Sequence, residues 1–171
     1  MSRTTVGLYP LNLIALDNEM LLDSIDAAGV RSLWRTNGTA AGTQEIGGPQ
    51  NQGVNGAYAQ GLLPQDMTLF NGKVLFQGMD SAGHEGLWVS DGTAAGTTEI
   101  GGLGNQGISN ASVGALQPTN MVVFNGRVFF RGTDSGGSSG LWMTDGTAAG
   151  TSEIGGLGDA AGPGGAQPVG L

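Results

Sequence analysis

One phrase recurs three times in this chain at a fixed spacing. Leu33-Trp34 followed by Asn37-Gly38-Thr39-Ala40-Ala41-Gly42-Thr43 returns 54 residues later as Leu87-Trp88 and Asp91-Gly92-Thr93-Ala94-Ala95-Gly96-Thr97. After another 54 residues it returns as Leu141-Trp142 and Asp145-Gly146-Thr147-Ala148-Ala149-Gly150-Thr151. A period of this size means supersecondary units that bury their faces only against one another. It also sets the kind of function to expect. A repeat array offers several equivalent surface sites, whereas an enzyme needs one asymmetric site, so no enzyme is expected.

Pro10, Pro64 and Pro118 keep the same spacing and divide the chain into copies at 10–63, 64–117 and 118–171. Pro168 follows Pro118 by only 50 residues, so the last copy is shorter in one loop. No linker separates the copies, and 1–171 reads as a single repeat domain. Glycine supplies 34 of the 171 residues, about three times its usual share. The glycines sit at matching places in each copy, as turns between many short strands require.

Each copy reads as four strands. The first covers Leu11 to Leu16, Met67 to Phe70 and Met121 to Phe124. Asn71-Gly72 and Asn125-Gly126 are hairpin turns, with Asp17-Asn18 in the first copy. The second strand is Met20 to Ile25, Val74 to Met79 and Val128 to Thr133, and the third is Ser32 to Thr36, Gly86 to Ser90 and Gly140 to Thr144. A short fourth strand ends at Ile46, Ile100 and Ile154. Val74-Leu75-Phe76 and Val128-Phe129-Phe130 are continuous apolar runs, the pattern of a sheet covered on both faces.

An all-β fold follows, and a β-propeller of four-stranded blades satisfies these constraints. A β-trefoil and a β-prism are the rivals that close with three copies. A propeller closes with about four to eight blades. Three copies per chain therefore predict closure by oligomerisation, with six blades from a homodimer. Closure would also remove exposed sheet edges.

In the recurrent loop, Asp91 and Asp145 are placed to accept backbone hydrogen bonds from residues just beyond them, and Asn37 can do the same without charge. Gly92 and Gly96 are expected at positive φ. The pattern Leu-Trp-x-x-Asp-Gly-Thr-x-x-Gly-Thr, preceded by a Phe-Asn-Gly hairpin, resembles the bacterial ELWxxDGT-type repeats. All three copies carry it, so the resemblance covers nearly the whole chain. The residue before Leu-Trp departs from the family pattern: Ser32, Gly86 and Gly140 stand where the family has Glu. So does the Glu99-Ile100-Gly101-Gly102 segment, where the family's usual aspartate is missing. The resemblance implies a propeller-like bacterial protein that is secreted or displayed at the cell surface, with a role in adhesion or interaction.

Charge narrows the partners. The formal charge is −8, from 14 acidic and 6 basic residues, and the basic residues form no run. Phosphate backbones and anionic bilayers are held by Lys and Arg, so neither nucleic acid nor a membrane surface is an expected partner. No segment has the roughly 18 consecutive apolar residues of a membrane span, and the first residues lack a signal-peptide core. Cysteine is absent, which removes disulfides and thiol chemistry.

The remaining function class is multivalent carbohydrate binding by a lectin-like or adhesive module, with a structural or protein-interaction scaffold as the alternative. Asn51, Gln52, Asn105 and Gln106 lie in matching connectors and offer amide donors and acceptors suited to sugar hydroxyls. The third copy has Asp159-Ala160-Ala161 there, so two sites per chain are expected. Trp34, Trp88 and Trp142 read either as sugar-stacking platforms or as packing residues whose indole N–H bonds to the backbone. Asp26, Asp80 and Asp134, with Glu45, Glu99 and Glu153, recur as acidic sets. Calcium takes six to eight oxygens and one aspartate per copy supplies few of them, so turns are the favoured role and no cofactor is expected, with calcium held by these aspartates and the added glutamates as the alternative. His84 has no nucleophile partner, and a catalytic role is not expected of it. Asn37-Gly38-Thr39 and Asn110-Ala111-Ser112 match the N-glycosylation pattern.

Overall fold

The structure is a computed structural model describing residues 8–26, 28–114 and 116–155. Twelve strands form three separate antiparallel sheets, each built from consecutive strands. The first sheet contains β1 (Asn12–Leu16), β2 (Glu19–Ile25), β3 (Arg31–Thr36) and β4 (Gln44–Glu45). The middle sheet contains β5 (Gln65–Phe70), β6 (Lys73–Met79), β7 (Glu85–Ser90) and β8 (Thr98–Glu99). The third contains β9 (Thr119–Phe124), β10 (Arg127–Thr133), β11 (Ser139–Thr144) and β12 (Ser152–Glu153). No α-helix occurs among the described residues. Asp159-Ala160-Ala161 and Pro168 lie outside the described residues.

Local chemistry explains the elements. Asn71-Gly72 and Asn125-Gly126 both take positive φ at their two central positions, which matches the twist of the flanking strands. Each fourth strand is two residues long, and just beyond β4 and β8 the pairs Gly47-Gly48 and Gly101-Gly102 swing away at positive φ.

The sheets pack face to face through two cores that are copies of one another. Leu16, Leu21, Leu33 and Ile46 of the first unit meet Val74, Phe76 and Trp88 of the middle sheet, with Met67 and Ala94 packed alongside. Fifty-four residues on, Phe70, Leu75, Leu87 and Ile100 meet Val128, Phe130 and Trp142, with Met121 and Ala148 alongside. The first strands of neighbouring sheets lie side by side. There the backbone N–H of Asn120 donates to the Asp66 carboxylate at 3.1 Å.

The connectors fasten one unit to the next. After leaving β4, the chain crosses to the middle sheet, where Tyr58 N–H donates to Met79 C=O and Met79 N–H donates to Leu62 C=O at 2.7 Å. Ser112, Thr133 and Leu116 repeat these bonds at the second junction.

Each end of the stack carries an uncovered half of the same junction. On the third sheet, Phe124, Phe129, Leu141 and Met143 occupy the positions of Phe70, Leu75, Leu87 and Val89. Phe124 is 61% exposed where Phe70 is 5%, and Leu141 is 40% exposed where Leu87 is fully buried. On the first sheet, Leu13, Met20 and Trp34 occupy the positions of Met67, Val74 and Trp88. Leu13 and Met20 are exposed and Trp34 is half-buried.

Candidate functional site

The recurrent loop is a structural module. Asp91 Oδ1 accepts from Thr93 N–H at 2.9 Å and from the Thr93 hydroxyl at 2.7 Å. Gly96 N–H donates to Thr93 Oγ1, Thr97 Oγ1 donates to Thr93 C=O, and the hydroxyls of Ser90 and Thr97 bond at 2.7 Å. Asn37 and Asp145 organise the same set in the other copies. The Thr93 and Thr147 hydroxyl bonds hold the carboxyls of Asp91 and Asp145 below the usual aspartate range. Gly92 takes the expected positive φ. Gly96 does not, and its role is space: a Cβ there would stand 2.0 Å from the Asp91 carboxylate.

The tryptophans divide. Trp88 and Trp142 are fully buried and stack on Phe76 and Phe130 at centroid distances of 6.4 and 6.3 Å. Neither can offer a face to a sugar. Gly78 and Gly132 make room for them, since a Cβ at either would fall within 3.0 Å of the indole Cδ1. Trp34 is half-buried because no sheet covers its side. The expected indole hydrogen bond is absent: among the described residues, Nε1 of Trp34, Trp88 and Trp142 is buried without an acceptor. The ring is held by shape and stacking.

Asn51 and Asn105 also depart from expectation, because both are buried with their amides fully engaged. Asn51 Oδ1 accepts from the N–H groups of Leu33 and Leu62, and its Nδ2 donates to Leu33 C=O and Ile46 C=O. Asn105 Oδ1 accepts from Leu87 N–H, and its Nδ2 donates to Leu87 C=O and Ile100 C=O. These amides continue the ladder of β3 and β7 where the two-residue fourth strands run out. Exposed ligand contacts are therefore not their role. Gln52 and Gln106, the next residues, are exposed.

The recurrent acids sit behind the connectors. Asp80 is fully buried, its Oδ1 accepting from Ala82 and His84 N–H and its Oδ2 from Gly104 N–H at 3.0 Å. His84 Nδ1 lies 3.2 Å from the same Oδ2. These bonds occupy Asp80 as a turn-former. Glu99 stands nearby with Oε2 accepting from Gly104 N–H at 3.2 Å. Burial first, and then the Asp80 charge, push the Glu99 carboxyl up to about 8. Burial also raises Glu45. Among the described residues, no three His, Asp or Glu side chains converge as a metal site.

A cleft of about 300 Å³ opens between the first and middle units, lined by Asn55, Gly56, Ser81, Thr98, Glu99 and Leu103 among others. Connector amide, hydroxyls, carboxyl and one exposed leucine meet there. Sequence reading missed this site. Gly56 against Asn110 is one of several differences between the two connectors, and nothing in the sequence sets it apart from the others.

Comparison with protein-family models, curated proteins and solved structures finds no match to this chain.

Proposed function

We propose that this chain is a non-catalytic, multivalent carbohydrate-binding module: a β-propeller of six four-stranded units, completed by a second copy, with glycan sites in the clefts between units. The observation that carries the reading is the cleft between the first and middle units, where a connector amide, hydroxyls and a carboxyl meet beside an exposed leucine. Closure would present this cleft once per chain, so a dimer would carry it twice. Sugar recognition needs that mixture, and repetition on a rigid body converts weak single sites into avidity gains of roughly 10²–10⁴.

Closure is supported by the two end faces. Terminal repeats of soluble arrays carry a polar outer face. Here both ends keep apolar side chains at the matching strand positions. The substitutions also compensate: Leu21 and Leu75 oppose Phe76 and Phe130 within the chain, whereas Phe129 of one end would oppose Leu22 of the other. The contact is head to tail, and two chains bring the number of units to six, within the range that closes.

A glycan array tests binding, and silence across it favours the scaffold alternative. Light scattering on size-exclusion eluate tests closure, with about twice 17.1 kDa expected. Leu13→Glu and Leu141→Glu alter residues already exposed, so each should fold and run as a monomer. Mixed together, they should re-form one junction and run as a pair. A monomeric parent chain, or a dimer that survives either change, defeats closure.

A further inference from the structure

The two junctions share one backbone frame around the cleft. Ser81 N–H donates to Gly56 C=O at 2.8 Å, and Ser135 N–H donates to Asn110 C=O at 2.8 Å. What differs is the occupant. At the second junction the Asn110 side chain fills the space, its Nδ2 donating to Glu153 Oε2 at 3.0 Å and its Oδ1 accepting from the Ser135 hydroxyl at 2.8 Å. At the first junction Ser81 and Glu99 hold the same positions as Ser135 and Glu153. Gly56 stands where Asn110 stands, so the amide is missing and the cleft is open.

We propose that the Gly56 cleft binds an amide group from outside, as the acetamido substituent of an N-acetylated sugar, with its N–H toward Glu99 and its carbonyl toward the Ser81 hydroxyl. The pairing follows the one the chain already makes internally with Asn110. Leu103, 45% exposed on the cleft wall, offers an apolar surface for the acetyl methyl. That contact favours an acetamido group over the bare carboxamide of an asparagine side chain. A carboxyl raised to about 8 is uncharged at neutral pH, which suits an uncharged ligand. The inference rests on the carbohydrate-binding reading and narrows it to one chemical class.

The test uses the chain as it stands, with N-acetylglucosamine and glucose as probes and backbone amide shifts in NMR as the readout. N-acetylglucosamine should move the Gly56, Ser81 and Gly102 signals in a saturable way, and glucose should leave them unmoved. Gly56→Asn should weaken binding at least tenfold at unchanged melting temperature. The position tolerates it, since Asn110 holds φ 63 where Gly56 holds φ 80, and a Cβ on Gly56 meets only the Trp88 ring at 3.9 Å. Ser81→Ala, at an exposed residue, should weaken binding without touching the core. Equal response to glucose, or undiminished binding by Gly56→Asn, overturns the inference. If another glycan from the array binds while N-acetylglucosamine does not, the acetamido assignment falls and the carbohydrate reading survives. If no glycan binds, both fall.

Discussion

The middle and third sheets share a strand pattern and differ in what covers them. In β6, five consecutive residues from Val74 to Gly78 are buried. In β10 the corresponding run alternates, with Val128 and Phe130 buried, Phe129 half-buried and Arg131 exposed. Both strands are written as continuous apolar runs. The middle sheet has a neighbour on each side, and the third has one. Burial in this fold is thus a property of the junction: the same apolar run is buried where a neighbouring sheet covers it and partly exposed where none does.

The largest expected effect separates those two sheets at one repeat position. Leu87→Ala should cost about 2–5 kcal/mol of stability in chemical denaturation, because it empties a filled core. Leu141→Ala should cost far less in dilute solution, where its side chain is already 40% exposed. With closure, the Leu141→Ala penalty should grow with protein concentration. A Leu141→Ala penalty equal to that of Leu87→Ala at nanomolar concentration would break the comparison, since the third sheet would then be covered within one chain.

Asn105→Ala comes next. It strands Leu87 N–H and Ile100 C=O, while Leu87 C=O keeps its bond from Ile100 N–H, so a loss of about 2–3 kcal/mol is expected. Gln106→Ala, one residue away on the exposed side, should change melting temperature little. Equal effects from the two would return Asn105 to the surface role that sequence reading gave it.

The smallest effect is a pH slope in the middle unit. The Glu99 carboxyl is raised from 4.5 to about 8 when folded, so between those values the folded chain holds a proton that the unfolded chain has lost. Stability should therefore fall as pH rises across that window and level off above it. The Asp80 carboxylate and the His84 ring lie beside the same Gly104 N–H turn. Glu99→Gln should flatten the slope in a series of melting curves. A parent chain whose stability rises from pH 5 to 8 would contradict a carboxyl held neutral by burial.

The strands and hairpins were legible because turn chemistry is local. Asn-Gly needs positive φ at two residues, and Asp-Gly-Thr closes its bonds within a few positions. The architecture of stacked four-stranded units was legible from the period. The role of Asn51 and Asn105 was not, because a polar connector looks solvent-facing in sequence. Only the two-residue length of β4 and β8 reveals that the ladder needs a side-chain amide to continue. The cleft was illegible for a related reason: Gly56 differs from Asn110 by one side chain, and its meaning appears only once Ser81 and Glu99 are seen to flank the gap.

The connectors have a kinetic consequence. Each ties its unit only to the next, as when Tyr58 bonds Met79 and Ser112 bonds Thr133, so partners are near in sequence. Long loops need not close before contacts form. Because contacts run between neighbouring units, order can spread from any one unit to the next. Joining the two ends through a second copy, as proposed, would be different in kind. It would be bimolecular, so refolding would then show a fast phase independent of concentration, followed by a slow phase whose rate doubles when the protein does.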